Sequence, residues 1–121
     1  MSKISRHGGV LVIKPKGAFR SDTIDGLRSE VASETRGGVP LVAIDLAETQ
    51  LIDGAGLEWL LELDQQCGER GGSVRLCNAC DLCQDLLRIT VAGDKLEHFD
   101  SLADALRSFS QGPLPARSPA R

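Results

Sequence analysis

Aromatic residues are scarce in this chain of 121 residues, which holds one Trp, three Phe and no Tyr. Surfaces that read single-stranded nucleic acid usually present stacking aromatics beside basic groups. The formal net charge is −3, and no basic cluster lies within the region expected to fold. We therefore expect no nucleic-acid partner, and a core built from Leu, Ile, Val and Ala.

The chain also lacks a long apolar run. No stretch approaches the ~18 residues that span a bilayer, and residues 1–14 lack the apolar region of a signal peptide. We expect a cytoplasmic protein without direct membrane insertion. Because that compartment is reducing, we expect the four cysteines to be thiols. The length suits one domain with its own core.

Short apolar runs alternate with segments of helical periodicity along the chain. The runs read as strands at 10–13, 41–44, 74–77 and 96–99, and the periodic segments read as helices at 22–34, 53–70, 78–90 and 101–109. This alternation predicts an α/β fold, with the strands in one sheet and crossover helices between them. Residues 1–109 form the predicted domain. Residues 110–121, rich in Pro, Arg and Ser, are predicted to be a disordered tail.

Asp53 marks the clearest helix start, because its carboxylate can accept backbone N–H bonds in the first turn. The glycines of Asp53-Gly54-Ala55-Gly56 could also cradle an anion. However, the segment lacks the Lys and Ser/Thr of a P-loop and the full G-x-G-x-x-G pattern. We favour a tight turn of small residues and expect no cofactor. On the helix that follows, Glu58 and Glu62 read as a solvated face, and Trp59 as core or contact surface.

The cysteines offer three interpretations. Cys77, Cys80 and Cys83 form a C-x2-C-x2-C run, which is typical of iron–sulfur ligation, but the fourth position of the bacterial pattern is Leu87. Cys67, on the preceding helix, could complete a four-thiolate site. Cys77 and Cys80 also span a strand end and a helix start, where a redox pair can work. We favour a structural role, with Cys80 and Cys83 as small core residues beside Leu87.

A catalytic constellation is not recognisable in the sequence. The two histidines are His7, near the N-terminus, and His98, in the last predicted strand. Neither has a Ser or Cys nucleophile motif beside it. We therefore expect a protein that is not an enzyme.

The segment DLAETQLIDGAGLEWLLEL, which ends at Leu63, resembles the signature region of the STAS domain family. That signature is an apolar strand ending in Asp or Asn, a short loop, apolar-Asp-Ser-x-Gly-Leu and a Leu-rich helix. The resemblance extends through GGSVRLC and Leu86-Leu87 and back to Lys16-Gly17, and covers about residues 9–109. It implies a single STAS-type domain, with a small mixed sheet of about four to five strands flanked by about four helices.

The resemblance also implies a function. In the anti-sigma-factor antagonists of this family, the domain binds a switch kinase that otherwise holds a sigma factor. The kinase phosphorylates a Ser or Thr directly after the motif Asp, which ends binding. The positions that match the family's contact surface, and that we expect to bind a partner here, are Phe19, Arg20, Ser21, Asp22, Asp53, Gly54, Ala55, Gly56 and Glu58.

The chain departs from the family pattern at the phosphorylated position. Gly54 follows the motif Asp53, so the usual phosphoacceptor hydroxyl is missing, and Ala55 offers none either. A segment that is Gly-Glu-Leu-Asp-like in the family reads Gly17-Ala18-Phe19-Arg20, so an acidic position is basic here. The sequence thus predicts an antagonist-like binding module without the phosphorylation switch. The alternatives are a STAS subunit of a larger assembly, such as a lipid-transport ATPase or a stress-signalling complex, and a thiol-based redox or metal sensor.

Overall fold

The computed structural model describes residues 3–90 and 95–110. Over these residues the strands are β1 (Lys3–His7), β2 (Val10–Lys14), β3 (Ala18–Phe19), β4 (Leu41–Asp45), β5 (Leu51–Ile52), β6 (Ser73–Cys77) and β7 (Glu97–Phe99). The helices are α1 (Ser21–Glu34), α2 (Gly54–Glu69), α3 (Asp81–Arg88) and α4 (Leu102–Ser110). The predicted alternation of strands and helices is confirmed.

Five of these strands form one sheet in the order β1-β2-β4-β6-β7. Strands β2, β4, β6 and β7 are parallel, and β1 lies antiparallel to β2 at one edge. Parallel neighbours cannot be joined by a tight turn, and each pair here is connected through a segment that contains one of the helices α1, α2 and α3. The predicted small mixed sheet is therefore confirmed.

The two faces of the sheet are covered by different helices. On β2, Leu11 and Ile13 belong to the main core cluster, which includes apolar side chains of α1, α2 and α3. Val10 and Val12 belong to a second cluster, against which side chains of α4 pack. A strand buried on both faces needs apolar residues at every position. This is why β2 reads as an uninterrupted apolar run at residues 10–13.

Three strands are absent from the sequence prediction. In β1 only Ile4 packs against the core. The remaining residues of this strand are polar, so its sequence shows no apolar run. Strands β3 and β5 have two residues each, too few to show a period. The predicted tail covers residues 110–121; Ser110 is instead the last residue of α4, and residues 111–121 lie outside the described residues. Within the described ranges, no helix combines the length and the apolar character that crossing a membrane requires.

The predicted start of α3 at Asn78 is wrong. Asn78 has a positive φ of 60°, and the residue that caps the helix is Cys80. Asn tolerates the left-handed region better than most residues. It is held there by its backbone N–H, which donates to the carbonyl oxygen of Phe99 at 3.2 Å, and by its side-chain amide, which donates to Asp45 at 3.1 Å. The chain therefore turns at Asn78 before the helix begins.

Strand β7 is tied to the chain before α3 by a contact of the half-buried imidazole of His98. The backbone N–H of Ala79 donates to Nε2 of His98 at 3.1 Å. Because an amide N–H can only donate, Nε2 is the unprotonated nitrogen of the ring. Burial lowers the pKa of His98 from its ordinary 6.5, and the nearby carboxylate of Asp100 opposes this in part. The folded protein therefore favours neutral His98.

This contact predicts a pH dependence of stability. Because the pKa of His98 is lower in the folded protein, the unfolded chain binds the proton more readily. The contribution of neutral His98 to folding stability is therefore present above pH 6.5 and is lost as pH falls through the folded-state pKa. We expect His98→Gln to reduce the loss of unfolding free energy between about pH 7 and pH 5, measured by urea denaturation at each pH. The exposed His7 is the matched control. A wild-type pH dependence retained in His98→Gln would contradict the assignment.

Candidate functional site

A second, two-stranded sheet brings the starts of α1 and α2 side by side. Strand β3 pairs in parallel with β5, with Ala18 opposite Leu51 and Phe19 opposite Ile52. Each short strand leads within two residues into a helix, β3 into α1 and β5 into α2. Because the strands are parallel, both helices begin at the same end of the pair. The predicted segments 19–22 and 53–56 are thus neighbours in the fold.

The two segments touch through their backbones. The N–H of Asp53 donates to the carbonyl oxygen of Phe19 at 3.3 Å. The next close contact lies at Gly56, where an added Cβ would stand 2.7 Å from that same oxygen and 2.9 Å from Cγ2 of Ile52. No side chain fits in that space, so Gly56 is required for α2 to start against β3. The close backbone approach that Gly56 permits is thus made within the chain itself.

Asp53 caps α2, as predicted. Its Oδ1 accepts the backbone N–H of Gly56 at 2.9 Å, and its carbonyl oxygen accepts the N–H of Leu57 at 3.0 Å. A carboxylate at this position also interacts favourably with the helix dipole, typically by about 0.3–1 kcal/mol. These bonds occupy N–H groups that an anion cradle would need. The turn therefore has the geometry of a helix start, which agrees with the interpretation favoured from the sequence.

Gly54 differs from Gly56 in its surroundings. It is the first residue of α2 and is exposed, and an added Cβ would have no atom within 4 Å. Its φ is not in the positive range that disfavours side chains. A side chain at position 54 would project into open space from the helix start without strain.

The expected partner-binding residues divide by exposure. The side chain of Phe19 is fully buried and Gly56 is buried, whereas Asp53 and Ala55 are half-buried. The exposed positions, which we call the α1–α2 surface, are Arg20, Ser21, Asp22, Gly54 and Glu58. The ring of Phe19 packs edge-on against Trp59, with 5.7 Å between centroids, and Trp59 is itself buried. These two aromatics belong to the core beneath the surface and are not available for contact.

An exposed apolar residue adjoins this surface and is missing from the prediction. Leu51 is 41% exposed although it lies in β5, two residues before Asp53. Helix α3 packs against β5 and carries Leu82, which is 52% exposed. A strand of two residues shows no alternation, so the sequence gives no signal that Leu51 faces outward while Ile52 faces the core.

Ion pairs link the elements around the surface. Arg28 of α1 lies 3.2 Å from Glu62 of α2, and Arg20 lies 4.0 Å from Asp22. All four side chains are more than half exposed, so each pair contributes at most about 1 kcal/mol. The pairing joins Glu62 to the neighbouring helix, whereas Glu58, one turn earlier on α2, is exposed to solvent.

The cysteines do not form a metal site in the described part of the chain, where no group of three or more His, Cys, Asp or Glu could hold an ion. Cys67, Cys77 and Cys83 are buried free thiols. The prediction that Cys80 is a core residue is wrong, because Cys80 is exposed. It caps α3 and its side chain is open to solvent, whereas Cys83 and Leu87 of the same helix are buried.

Comparison with known proteins identifies the fold. The STAS domain family model matches residues 2–105, so this chain belongs to the STAS domain family. Among solved structures, an anti-sigma-factor antagonist (STAS) domain protein from Planctomyces limnophilus has a TM-score of 0.79 at 18% identity, covering 90% of this chain and 97% of that chain. An anti-sigma factor antagonist from Mycobacterium paratuberculosis has a TM-score of 0.78 at 19% identity, covering 89% and 92%.

A third structure is also similar in fold. It is the Bacillus cell fate determinant SpoIIAA in its phosphorylated form, with a TM-score of 0.71 at 13% identity, covering 90% of this chain and 99% of that chain. At these identities the likeness to all three structures shows the fold. No curated protein sequence matches the chain at a significant level.

The contrast between Gly54 and Gly56 in the first turn of α2 gives a prediction. We expect Gly56→Ala to lower the unfolding free energy by about 1–3 kcal/mol, because the added methyl group overpacks against the backbone of Phe19. Gly54→Ala is the matched control and should leave stability unchanged or raise it by up to about 1 kcal/mol. Urea denaturation of both variants tests this, and equal stabilities would show that α2 does not start against β3 as described.

Proposed function

We propose that this chain is a non-catalytic regulator that acts by binding another protein in the cytoplasm, as an anti-sigma-factor antagonist does in the control of transcription. The proposal is supported by membership of the STAS family and by the similarity in fold to two anti-sigma-factor antagonists. It is also supported by the site itself, which offers an exposed surface at two helix starts.

The observation that carries the proposal is the environment of Gly54. This position follows the motif Asp53, and in the family the residue there is the Ser or Thr that the partner kinase phosphorylates. In this chain it is exposed, with open space around it, and bears no hydroxyl. A partner docked on the α1–α2 surface could not be released by phosphorylation at this point. We therefore propose that the chain is constitutively competent to bind.

Other hydroxyl groups near the site differ in accessibility. Thr49 is buried, and its hydroxyl donates to the carbonyl oxygen of Pro15 at 3.2 Å. The hydroxyl of Thr90 is half-buried and donates to Leu87. Ser21, the first residue of α1, is exposed on the α1–α2 surface. If phosphorylation acts on this surface at all, Ser21 is the hydroxyl that a kinase can reach.

The charges already present on the α1–α2 surface determine what effect a phosphate would have there. The α1–α2 surface carries the carboxylates of Asp22 and Glu58 and the cation of Arg20, and Asp53 directly precedes Gly54 in the chain. A phosphate would add a charge of about −2 to this group and would change what the surface can bind. An Asp side chain at position 54 supplies part of that charge and has space to do so.

The proposed partner is an anti-sigma factor of the switch-kinase type. Capture from an extract of the source cells, with the full chain as bait, tests its identity by mass spectrometry. Recovery of an ATP-binding anti-sigma factor supports the proposal. Recovery of a transport ATPase or of stress-complex subunits instead would contradict it and would favour the assembly-subunit alternative.

The binding prediction concerns Gly54→Asp. We expect this change to weaken binding of the captured partner at least tenfold, about 1.4 kcal/mol, because it places a fixed negative charge in the centre of the docking surface. The fold should persist, since an acidic side chain at a helix N-terminus is stabilising by roughly 0.3–1 kcal/mol. Calorimetric titration gives the affinity, and a thermal melt of the variant gives its stability.

The matched control is Gly9→Asp. Gly9 is exposed, has open space for a Cβ and lies at the beginning of β2, whereas the site lies beyond the end of that strand. The Gly9→Asp variant carries the same added charge away from the proposed interface, so its affinity for the partner should equal that of the wild type. A folded Gly54→Asp variant that binds as tightly as wild type would place the interface elsewhere.

A further inference from the structure

Two thiols meet at the start of α3. Cys80 caps the helix and Cys83 is its third residue, so they stand at the i, i+3 spacing that places side chains together on one side of a turn. Their sulfurs lie over adjacent carbonyl groups. Sγ of Cys80 is 3.8 Å from the oxygen of Gln50, and Sγ of Cys83 is 3.8 Å from the oxygen of Thr49.

The two thiols differ sharply in accessibility. Cys80 is exposed, whereas Cys83 has no exposed surface. An exposed thiol followed by a buried one, with C-x-x-C spacing at a helix N-terminus, is the arrangement with which thiol–disulfide oxidoreductases work. We propose that Cys80 and Cys83 are a reversible dithiol–disulfide pair in which Cys80 reacts first and Cys83 closes the disulfide.

The fold separates this pair from the other two cysteines. Cys77 is the last residue of β6, and alternation along that strand places its side chain on the face opposite to Leu76, whereas Leu76 and Cys83 share the main core cluster. The pairing of Cys77 with Cys80 considered from the sequence is therefore disfavoured. Burial and the carboxylate of Asp45 raise the pKa of Cys77 to about 12. Burial and Asp64 raise that of Cys67 to about 11.

The reaction balances with a small disulfide, such as oxidised glutathione, as the oxidant. The thiolate of Cys80 attacks one sulfur of the disulfide, whose S–S bond breaks and releases one thiol that takes up the proton from Cys80. The sulfur of Cys83 then loses its proton and attacks Cys80 in the resulting mixed disulfide. The second half of the small disulfide leaves as a thiolate and takes up the proton from Cys83, and two electrons have passed from the pair to the oxidant.

The first step prepares Cys83 for the second. Burial raises the pKa of Cys83 to about 12, and the hydrogen bond and charge of Cys80 contribute to the increase. Once Cys80 is bound in a mixed disulfide it has neither a thiol proton nor a negative charge, so both contributions of Cys80 vanish. The i, i+3 spacing also suits closure, because a disulfide spans Cα atoms roughly 4.4–6.8 Å apart.

The test uses the full chain in buffers of defined oxidised and reduced glutathione, followed by alkylation and mass spectrometry. We expect wild type to lose two of its four alkylatable thiols and two hydrogens in mass, and to regain both on reduction. Cleavage after Arg75 and before Asp81 and Asp85 separates Cys80 from Cys83, so the disulfide appears as two linked peptides.

Single variants assign the roles. Cys83→Ser should stop at a stable glutathione adduct on Cys80, and Cys80→Ser should react at least tenfold more slowly without forming a link. Cys77→Ala is the matched control and should keep the linked peptides. A link that persists in Cys80→Ser, or a wild-type chain that stops at the adduct or does not react, would overturn the proposal. Thermal melts exclude misfolding, and since no partner is used, such a failure would leave the proposed docking function untouched.

Discussion

The first turn of α2 passes so close to the backbone of Phe19 that position 56 admits no side chain. A Cβ there would stand 2.7 Å from the carbonyl oxygen of Phe19. The N–H of Asp53 donates to that same oxygen, and the carboxylate of Asp53 accepts the N–H of Gly56. This small group of backbone contacts fixes where α2 begins relative to β3. Since β3 leads directly into α1, it also fixes the relative position of the two helix starts on which the proposed interface is built.

The same constraint explains why two glycines in one turn have different meanings. Gly56 is required by packing within the chain, whereas nothing in the fold requires Gly54, which could carry a side chain without a clash. A residue that the fold does not demand is free to be set by function. Because the family resemblance places the phosphoacceptor at this position, we propose that the glycine here bears on regulation more than on stability. The proposed constitutive binding follows from that distinction.

The sequence predicts those parts of the fold that leave a periodic or chemical signal. The largely buried strands β2, β4 and β6, the helices and the cap at Asp53 are such parts, because burial and capping act on the residues themselves. Strands β3 and β5 leave no such signal, since two residues have no period. Their pairing is a long-range contact, and it is this pairing that joins the two halves of the candidate site.

The sequence indicated which segments make up the candidate site, but not which of their side chains are exposed to solvent. The resemblance to the family brings Phe19 and Gly56 into the expected contact surface, yet both are buried. Likewise, helical spacing places Cys80 with Cys83 on a core face, but the positive φ of Asn78 delays the helix and leaves Cys80 outside as its cap. In each case a backbone contact distant in sequence decides which side chain meets solvent.

The central claim is that a partner protein docks on the α1–α2 surface. Backbone amide NMR spectra of the isotope-labelled chain, recorded before and after addition of the captured partner, test it most directly. The account predicts that the largest changes fall at residues 20–23 and 53–58, with α4 unaffected on the other face of the sheet. Changes concentrated on α4 or on the exposed edge strand β1, with the α1–α2 surface unperturbed, would contradict it.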